Sequence, residues 1–300
     1  MCPCTYHHPV MLRESIDGLI TSKSGTYVDL TFGGGGHARE ILNRLAGGRL
    51  IAFDQDADAR KNTEGLDLIF IEANFRHLKR YLKMYGITAV DGIIADLGVS
   101  SHQFDAAGRG FSTRLDAELD MRMNQRSSRT ARQIVNEYSE HDLHRIFGMY
   151  GEVRNARTLA HAIVAARVAQ PIRTVKDLKE VAVKFALKGK ENKYLAQVFQ
   201  ALRIEVNEEI DALKEMLQQA VEVLKSGGRL VMISYHSLED RLVKNLIMKG
   251  NMEGEVEKDF YGNMIRPLQA VHKKPIQPTA EELSWNSRAR SAKLRIAEKL

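Results

Sequence analysis

Four consecutive glycines, Gly33 to Gly36, constrain the fold more than any other feature of this sequence. They follow TYVDLTF (26–32), a β-branched and aromatic run that predicts a buried strand. They precede HAREILNRLAG (37–47), whose apolar spacing predicts a helix that stops at Gly47. A glycine-rich turn between a strand and a helix is typical of the ligand-binding corner of a doubly wound α/β sheet. Glycine allows a tight turn and leaves room for a ligand against the backbone, and the helix N-terminus presents free N–H groups there.

Further strand patterns occupy 49–56, 67–75, 90–98 and 229–236. Strands that alternate with helices indicate a parallel sheet. From about Asp105 to Asn192 only helical signals occur, with Thr130 and Thr174 as candidate N-caps. We therefore predict an α/β protein with a Rossmann-like, mainly parallel sheet and an inserted all-helical domain. The predicted boundaries are 1–104 for the first part of the core, 105–192 for the insertion and 193–300 for the second part of the core.

Two later segments are harder to assign from pattern alone. The helical pattern over 194–228 permits a break near Asn207 and predicts a C-cap at Gly227. The tail at 292–300 fits either a helix or a last edge strand.

The positive charge of the chain is concentrated in two segments. The net charge is +6. Residues 105–192 hold 16 Lys and Arg against 11 Asp and Glu, and residues 266–300 hold 8 against 3, so the remainder is acidic on balance. A nucleic-acid footprint has such a distribution, and so do ordinary solvated helix faces.

The terminal sequence gives no sign of export or of a membrane anchor. The apolar runs are shorter than a membrane span, and no signal-peptide pattern occurs at the start, so we expect a cytoplasmic protein. Cys2, Cys4, His7 and His8 form a cluster that fits either a soft metal site or a mobile terminus. Because structural zinc sites use a wider cysteine spacing, we expect no metal.

The glycine turn and the next strand suggest a nucleoside-containing ligand. Gly33, Gly35 and Ala38 fit the fingerprint G-x-G-x-x-G/A. Asp54 ends the second strand, 21 residues after Gly33, where a carboxylate would accept hydrogen bonds from a ribose diol. Nicotinamide dinucleotides and S-adenosylmethionine both carry such a ribose, so this pattern leaves both open.

Two further segments end at the same predicted edge of the sheet. In ADLGVSSHQFD (95–105), Asp96 ends the fourth strand beside the ligand crevice. An acceptor there, bonded to the N–H of a base amine, would favour its nucleophilic form, although Asp96 fits a cofactor or loop contact equally well. In SYHSLEDR, Ser234, Tyr235 and His236 could stack on a base or bond to it. His236 is a catalytic candidate, with a structural role as the alternative.

Seven segments together resemble one bacterial family. In chain order they are DLTFGGGGH, DGIIADLGVSS, RGFS, LDMRMN, VFQALRIEVN, GGRLVMISYHSLEDR and NSRARSAKLRIAE. This order is similar to that of the 16S ribosomal RNA cytosine-N4 methyltransferases, the ribosomal RNA small subunit methyltransferase H family, formerly MraW. The resemblance runs from His7 to the C-terminus, and LDMRM and HSLEDR are far more specific than a glycine pattern.

The resemblance implies a class I methyltransferase sheet that uses S-adenosylmethionine and yields S-adenosylhomocysteine. The implied substrate is one cytidine in the decoding region of 16S rRNA, within the small ribosomal subunit. Asp54 would take the ribose and Phe75 would line the adenine side. Without the resemblance, Phe75 is typical of a core residue and Gln103 of a surface loop. The cofactor-binding residues that the resemblance implies are Gly35, Gly36, His37, Asp54, Phe75, Asp96 and Gln103.

The sequence departs from the family pattern at several positions, none of which removes an implied cofactor contact. His102 replaces proline, Thr113 replaces phenylalanine, and Tyr235 replaces phenylalanine. Two other classes remain as alternatives. A nicotinamide dehydrogenase on a similar sheet leaves the basic insertion unexplained, and a non-catalytic RNA-binding protein leaves the glycine turn and Asp54 unexplained.

Overall fold

A computed structural model describes residues 9–300, so the Cys2, Cys4, His7 and His8 cluster lies outside the described residues. The chain forms two compact units. The first comprises Met1–Gly98 and Ile210–Leu300, and the second comprises Val99–Glu209. Within the described range, no helix combines the length and the apolar character needed to cross a membrane.

The first unit is built on a seven-stranded sheet with the order β3-β2-β1-β4-β5-β7-β6. Strands β1 to β5 pair in parallel, whereas β7 is antiparallel to β5 and β6. The strand order reverses at β1, which opens a crevice at the carboxyl ends of β1 and β4. This confirms the predicted α/β class and the Rossmann-like, mainly parallel sheet. The strands are β1 (Thr26–Asp29), β2 (Arg49–Asp54), β3 (Ile69–Glu72), β4 (Val90–Asp96), β5 (Leu224–Ser234), β6 (Leu268–Ala270) and β7 (Lys293–Lys299).

Helices bury both faces of this sheet. Side chains alternate along each strand, so Val28 contributes to one apolar cluster and Tyr27 to the other. Both faces are buried, which is why these strands are almost continuously apolar. The helices of this unit are α1 (Leu12–Leu19), α2 (Gly36–Arg44), α3 (Leu78–Met84), α10 (Glu209–Val223), α11 (Ser237–Lys249) and α12 (Ala280–Trp285).

Two details of the sequence prediction are wrong for this unit. The tail forms a strand, β7, which was one of the two predicted alternatives, but it lies inside the sheet between β5 and β6 and is not an edge strand. The edge strand on that side of the sheet is β6, which has only three residues and gives no periodic signal. Helix α10 ends at Val223, and Gly227 lies within the irregular start of β5, because Leu224 already pairs with Val90.

The second unit is helical, and Thr130 and Thr174 are N-caps as predicted. The unit spans Val99–Glu209, whereas the predicted insertion spans 105–192. The difference at the C-terminal boundary arises because Val198, Phe199 and Leu202 of the helix α9 (Glu191–Asn207) pack in the core of this unit. Helical spacing alone does not tell which core a helix joins. The helices are α4 (Ser101–Asp105), α5 (Ala131–Glu137), α6 (Glu140–Met149), α7 (Ala156–Ala169), α8 (Val175–Ala182) and α9 (Glu191–Asn207).

The segment LDMRM (119–123) is anchored inside the second unit. The side chain of Asn207, where α9 ends, accepts from the Met123 N–H at 2.7 Å and donates to the Met121 carbonyl at 2.8 Å. Arg122 makes two bonds with Asp120, at 2.8 and 2.7 Å. The helix break that the sequence predicts near Asn207 is therefore the end of α9. At that point the Asn207 side chain forms hydrogen bonds with the backbone of the LDMRM segment.

Candidate functional site

The glycine turn of the first unit joins β1 to α2, and its glycines are required by geometry. Gly33 and Gly35 have positive φ angles of 51° and 76°, which side chains rarely adopt. A Cβ on Gly35 would lie 2.9 Å from the ring of Phe32, and one on Gly36 would lie 2.9 Å from Pro9. The turn is closed by a 2.7 Å bond from the Gly35 N–H to the Phe32 carbonyl.

Asp54, at the end of β2, holds this turn in place. One carboxylate oxygen accepts from the Gly33 N–H and the other from the Asp56 N–H, each at 2.8 Å. Asn62 donates to the Gly33 carbonyl at 2.8 Å. A carboxylate has about four lone-pair positions, so capacity for a ribose hydroxyl remains. Burial raises the pKa of Asp54 to about 6, although the backbone bonds oppose that rise.

His37, in the first turn of α2, is buried against a preceding segment. Its Nε2 lies 3.1 Å from the carbonyl of Val10, so this nitrogen donates and carries the proton. Burial lowers the pKa of His37 to about 4, which keeps the ring neutral. The described contact is therefore structural, and the predicted cofactor contact stays a prediction.

Phe75 lies at the same sheet edge as Asp54. It opens a 3₁₀ turn shortly after β3 and is partly exposed. Asn74, the cap of this turn, donates to Gln55 at 2.8 Å and so ties the turn to the end of β2. This position fits the predicted location beside the nucleoside portion of a ligand.

Asp96, at the end of β4, lies between the ends of β1 and β5. Its N–H donates to the Thr31 hydroxyl at 2.6 Å, and its Oδ1 accepts from the Tyr235 hydroxyl at 2.7 Å. Burial raises the pKa of Asp96 to about 7, opposed by the Tyr235 bond and reinforced by neighbouring acids.

Asp29, at the end of β1, is a site residue that the sequence analysis missed. Its Oδ1 accepts from the Thr31 N–H at 3.0 Å, whereas its buried Oδ2 has no hydrogen-bond partner within the described chain. Burial raises the pKa of Asp29 to about 7, and the charge of Asp54 adds to the rise. The available signal was an acid at the end of the first strand, four residues before Gly33, but the sequence analysis counted Asp29 only as part of the strand.

Asp29, Asp54 and Asp96 end three adjacent strands, and we call them the carboxylate cluster. Among residues 9–300, no Lys or Arg forms a hydrogen bond or an ion pair with any of the three. Their raised pKa values reflect that lack of compensation. A ligand with positive charge would stabilise the ionised cluster, whereas a pyrophosphate would be repelled by it.

The last two predicted site residues, His236 and Gln103, contact residues other than the carboxylate cluster in the described interactions that follow. His236 Nε2 lies 3.1 Å from Glu239 Oε1, at the start of α11. Gln103 belongs to the second unit, where its side chain accepts from the Ser100 N–H at 3.0 Å and completes a capping box on α4. The predicted cofactor role of Gln103 and the predicted catalytic role of His236 stay predictions.

We expect the carboxylate cluster to make the free protein less stable as the pH rises from about 4 to about 7. The folded pKa of Asp29 lies above its unfolded value, so the folded state binds more protons in that window. Asp29→Asn should therefore raise the free energy of unfolding at pH 7.5 by at least about 1 kcal/mol and do little at pH 4. Urea unfolding at both pH values measures this, with the exposed Asp67→Asn as control. An equal effect of Asp29→Asn at both pH values would contradict the expectation.

Comparison with known proteins identifies relatives over nearly the whole chain. Residues 4–300 match the MraW methylase family. The ribosomal RNA small subunit methyltransferase H of Cytophaga hutchinsonii is 58% identical over 297 residues, which cover 98% of this chain and 99% of that protein. The protein of the same name from Flavobacterium johnsoniae is 57% identical and covers 98% of both chains. An rRNA methylase structure from Streptococcus thermophilus aligns over 96% of both chains with a TM-score of 0.42 and 14% identity, too distant to add an argument.

Proposed function

The chain belongs to the MraW methylase family, and on that premise we propose that it methylates the exocyclic N4 amine of one cytidine in the decoding region of 16S rRNA. As a member of this family, it is an rRNA methyltransferase that depends on S-adenosylmethionine. The observation that carries the proposal is the carboxylate cluster at the carboxyl ends of β1, β2 and β4, with Asp96 beside the crevice.

The residues of the first unit fit the cofactor. S-adenosylmethionine, when bound, supplies an electrophilic methyl group on a cationic sulfonium. Asp29 has a buried oxygen that finds no partner among residues 9–300, and Asp54 retains lone pairs beside the glycine turn, so a cationic nucleoside suits both residues. The pyrophosphate of a nicotinamide dinucleotide would add negative charge to this acidic edge. The further proposed cofactor contacts are Gly35, Gly36, His37, Phe75, Asp96 and Gln103.

Asp96 has the chemistry that the target amine requires. The N4 lone pair of cytosine is delocalised into the ring, and a carboxylate that accepts its N–H favours the pyramidal, nucleophilic form. The same carboxylate can hold the proton that the amine loses. His236, which contacts Glu239, is the weaker candidate for a catalytic role.

The RNA would be held mainly through its backbone. The basic surplus in 105–192 and 266–300 supports salt-sensitive binding of phosphates. The target base must leave its stack to enter the crevice beside Asp96. A non-catalytic RNA-binding protein would need neither the glycine turn nor the carboxylate cluster.

The test is incubation of the full chain with labelled S-adenosylmethionine and unmodified small ribosomal subunits, followed by nucleoside analysis of the digested RNA. We expect label in N4-methylcytidine alone. A parallel reaction with naked 16S rRNA decides whether the assembled subunit is needed. Label in a different nucleoside contradicts the proposed target, and failure to bind the cofactor in calorimetry contradicts the proposed chemistry.

A further inference from the structure

The hydroxyl of Tyr235 donates to Asp96 Oδ1 at 2.7 Å, a contact between residues 139 positions apart. Building on the proposed function, we propose that Tyr235 is a positioning residue. Its hydroxyl holds one oxygen of Asp96 and thereby leaves the other oxygen directed to the N–H of the target amine. In this proposal the hydroxyl tunes the carboxylate and is not itself a reacting group.

The structure fixes the position of the Tyr235 hydroxyl from several sides. Tyr235 directly follows β5, in which Ile233 pairs with Asp96 of β4. Its backbone N–H donates to the buried carboxylate of Glu239 at 2.9 Å. Its ring packs against an apolar cluster of the first unit and lies beside Gly98, where an added Cβ would be 3.8 Å from Cδ2. The ring therefore has little freedom to carry the hydroxyl away from Asp96.

The two carboxylate oxygens of Asp96 differ in their hydrogen bonding within the described chain. The Thr31 hydroxyl fixes its backbone N–H, and Tyr235 occupies Oδ1. No hydrogen bond to Oδ2 is found in the described part of the chain. A hydrogen bond to one oxygen restricts rotation of the carboxyl group, and a fixed acceptor is more effective than a rotating one.

The surroundings of Asp96 make this bond important. The charged groups that face it from neighbouring elements are acidic: Asp29 from β1, Glu239 from α11 and Glu282 from α12. The basic side chains of β7 that lie nearest in register, Lys293 and Arg295, are paired with Asp240 at 3.1 and 2.6 Å. The pKa of Tyr235 is raised well above its ordinary value by burial and by the charge of Asp96, so the phenol stays protonated and able to donate.

The test compares Tyr235→Phe with the wild type, and the exposed Tyr85→Phe serves as a control that loses only a solvated hydroxyl. The first measurement is a ¹³C NMR titration of the Asp96 carboxyl group in the free protein, identified by the resonance that is lost in Asp96→Asn. We expect its midpoint to rise by about one pH unit in Tyr235→Phe, because a donor to the ionised form has been removed. Tyr85→Phe should leave the midpoint unchanged.

The second measurement is methyl transfer to small ribosomal subunits as a function of pH. The acid limb for Tyr235→Phe should move to higher pH by a similar amount, so that the rate falls up to about tenfold on that limb and recovers at pH values well above it. An unchanged NMR midpoint, or a shifted midpoint with an unchanged rate profile, overturns the inference. Absence of transfer by the wild type overturns the proposed function instead, so the two failures are distinguishable.

Discussion

Asp96→Asn lowers the rate of methyl transfer to small ribosomal subunits by at least about a hundredfold, within the range typical of a lost acid–base group. Asparagine has nearly the same shape and still accepts a hydrogen bond from Tyr235, but it has no negative charge and cannot take up the proton of the amine. The Thr31 hydroxyl holds the backbone N–H at position 96, and the Tyr235 hydroxyl holds the side chain, so the fold should persist. Single-turnover kinetics with saturating cofactor measures the loss.

Cofactor binding decides how the result for Asp96 is interpreted. If calorimetry shows S-adenosylmethionine binding within a few-fold of the wild type, the loss belongs to the transfer step. A loss of binding that accounts for the whole effect would make Asp96 a cofactor ligand. Asp67→Asn, on an exposed loop residue, should alter neither measurement. Undiminished turnover by Asp96→Asn would overturn the catalytic role.

Gly35→Ala weakens both the fold and cofactor binding. The left-handed backbone, with φ of 76°, costs about 1–2 kcal/mol for a residue with a side chain. The added Cβ would also lie 2.9 Å from Phe32, a buried ring that packs edge-on against Phe70 at 5.4 Å between ring centroids. The ring or the turn must move, and we expect the affinity for S-adenosylmethionine to fall at least about tenfold.

Gly47→Ala is a closely matched control for that prediction. Gly47 has the same φ of 76°, but an added Cβ meets nothing within 4 Å. It should therefore show the backbone cost alone and retain cofactor affinity. Thermal unfolding and calorimetry on both variants separate the two contributions. If both substitutions lowered the affinity for S-adenosylmethionine equally, the contact between the added Cβ and Phe32 would not be the cause of the loss.

Local sequence patterns were sufficient for the parts of the site that depend on consecutive residues. The strand, the glycine turn and the helix are contiguous, so Gly33 to Gly36 indicate a ligand corner by short-range geometry alone. Asp96 could be placed because it ends a strand, and carboxyl ends of parallel strands share one sheet edge. The resemblance to a known family supplied the methyl donor and the RNA substrate, which no periodicity contains.

The tertiary structure decided everything that depends on contacts between distant segments. Periodicity shows which face of a helix or strand is apolar, but not which partner covers it. The prediction therefore placed α9 with the sheet, although its core residues pack in the helical unit, and it left the tail open between a helix and an edge strand. Asp29 Oδ2, buried and without a hydrogen-bond partner in the described part of the chain, can be recognised only once β1 is packed between β2 and β4. The bond from Tyr235 to Asp96 exists because β5 pairs beside β4, and strand order is a property of the folded chain that local spacing does not encode.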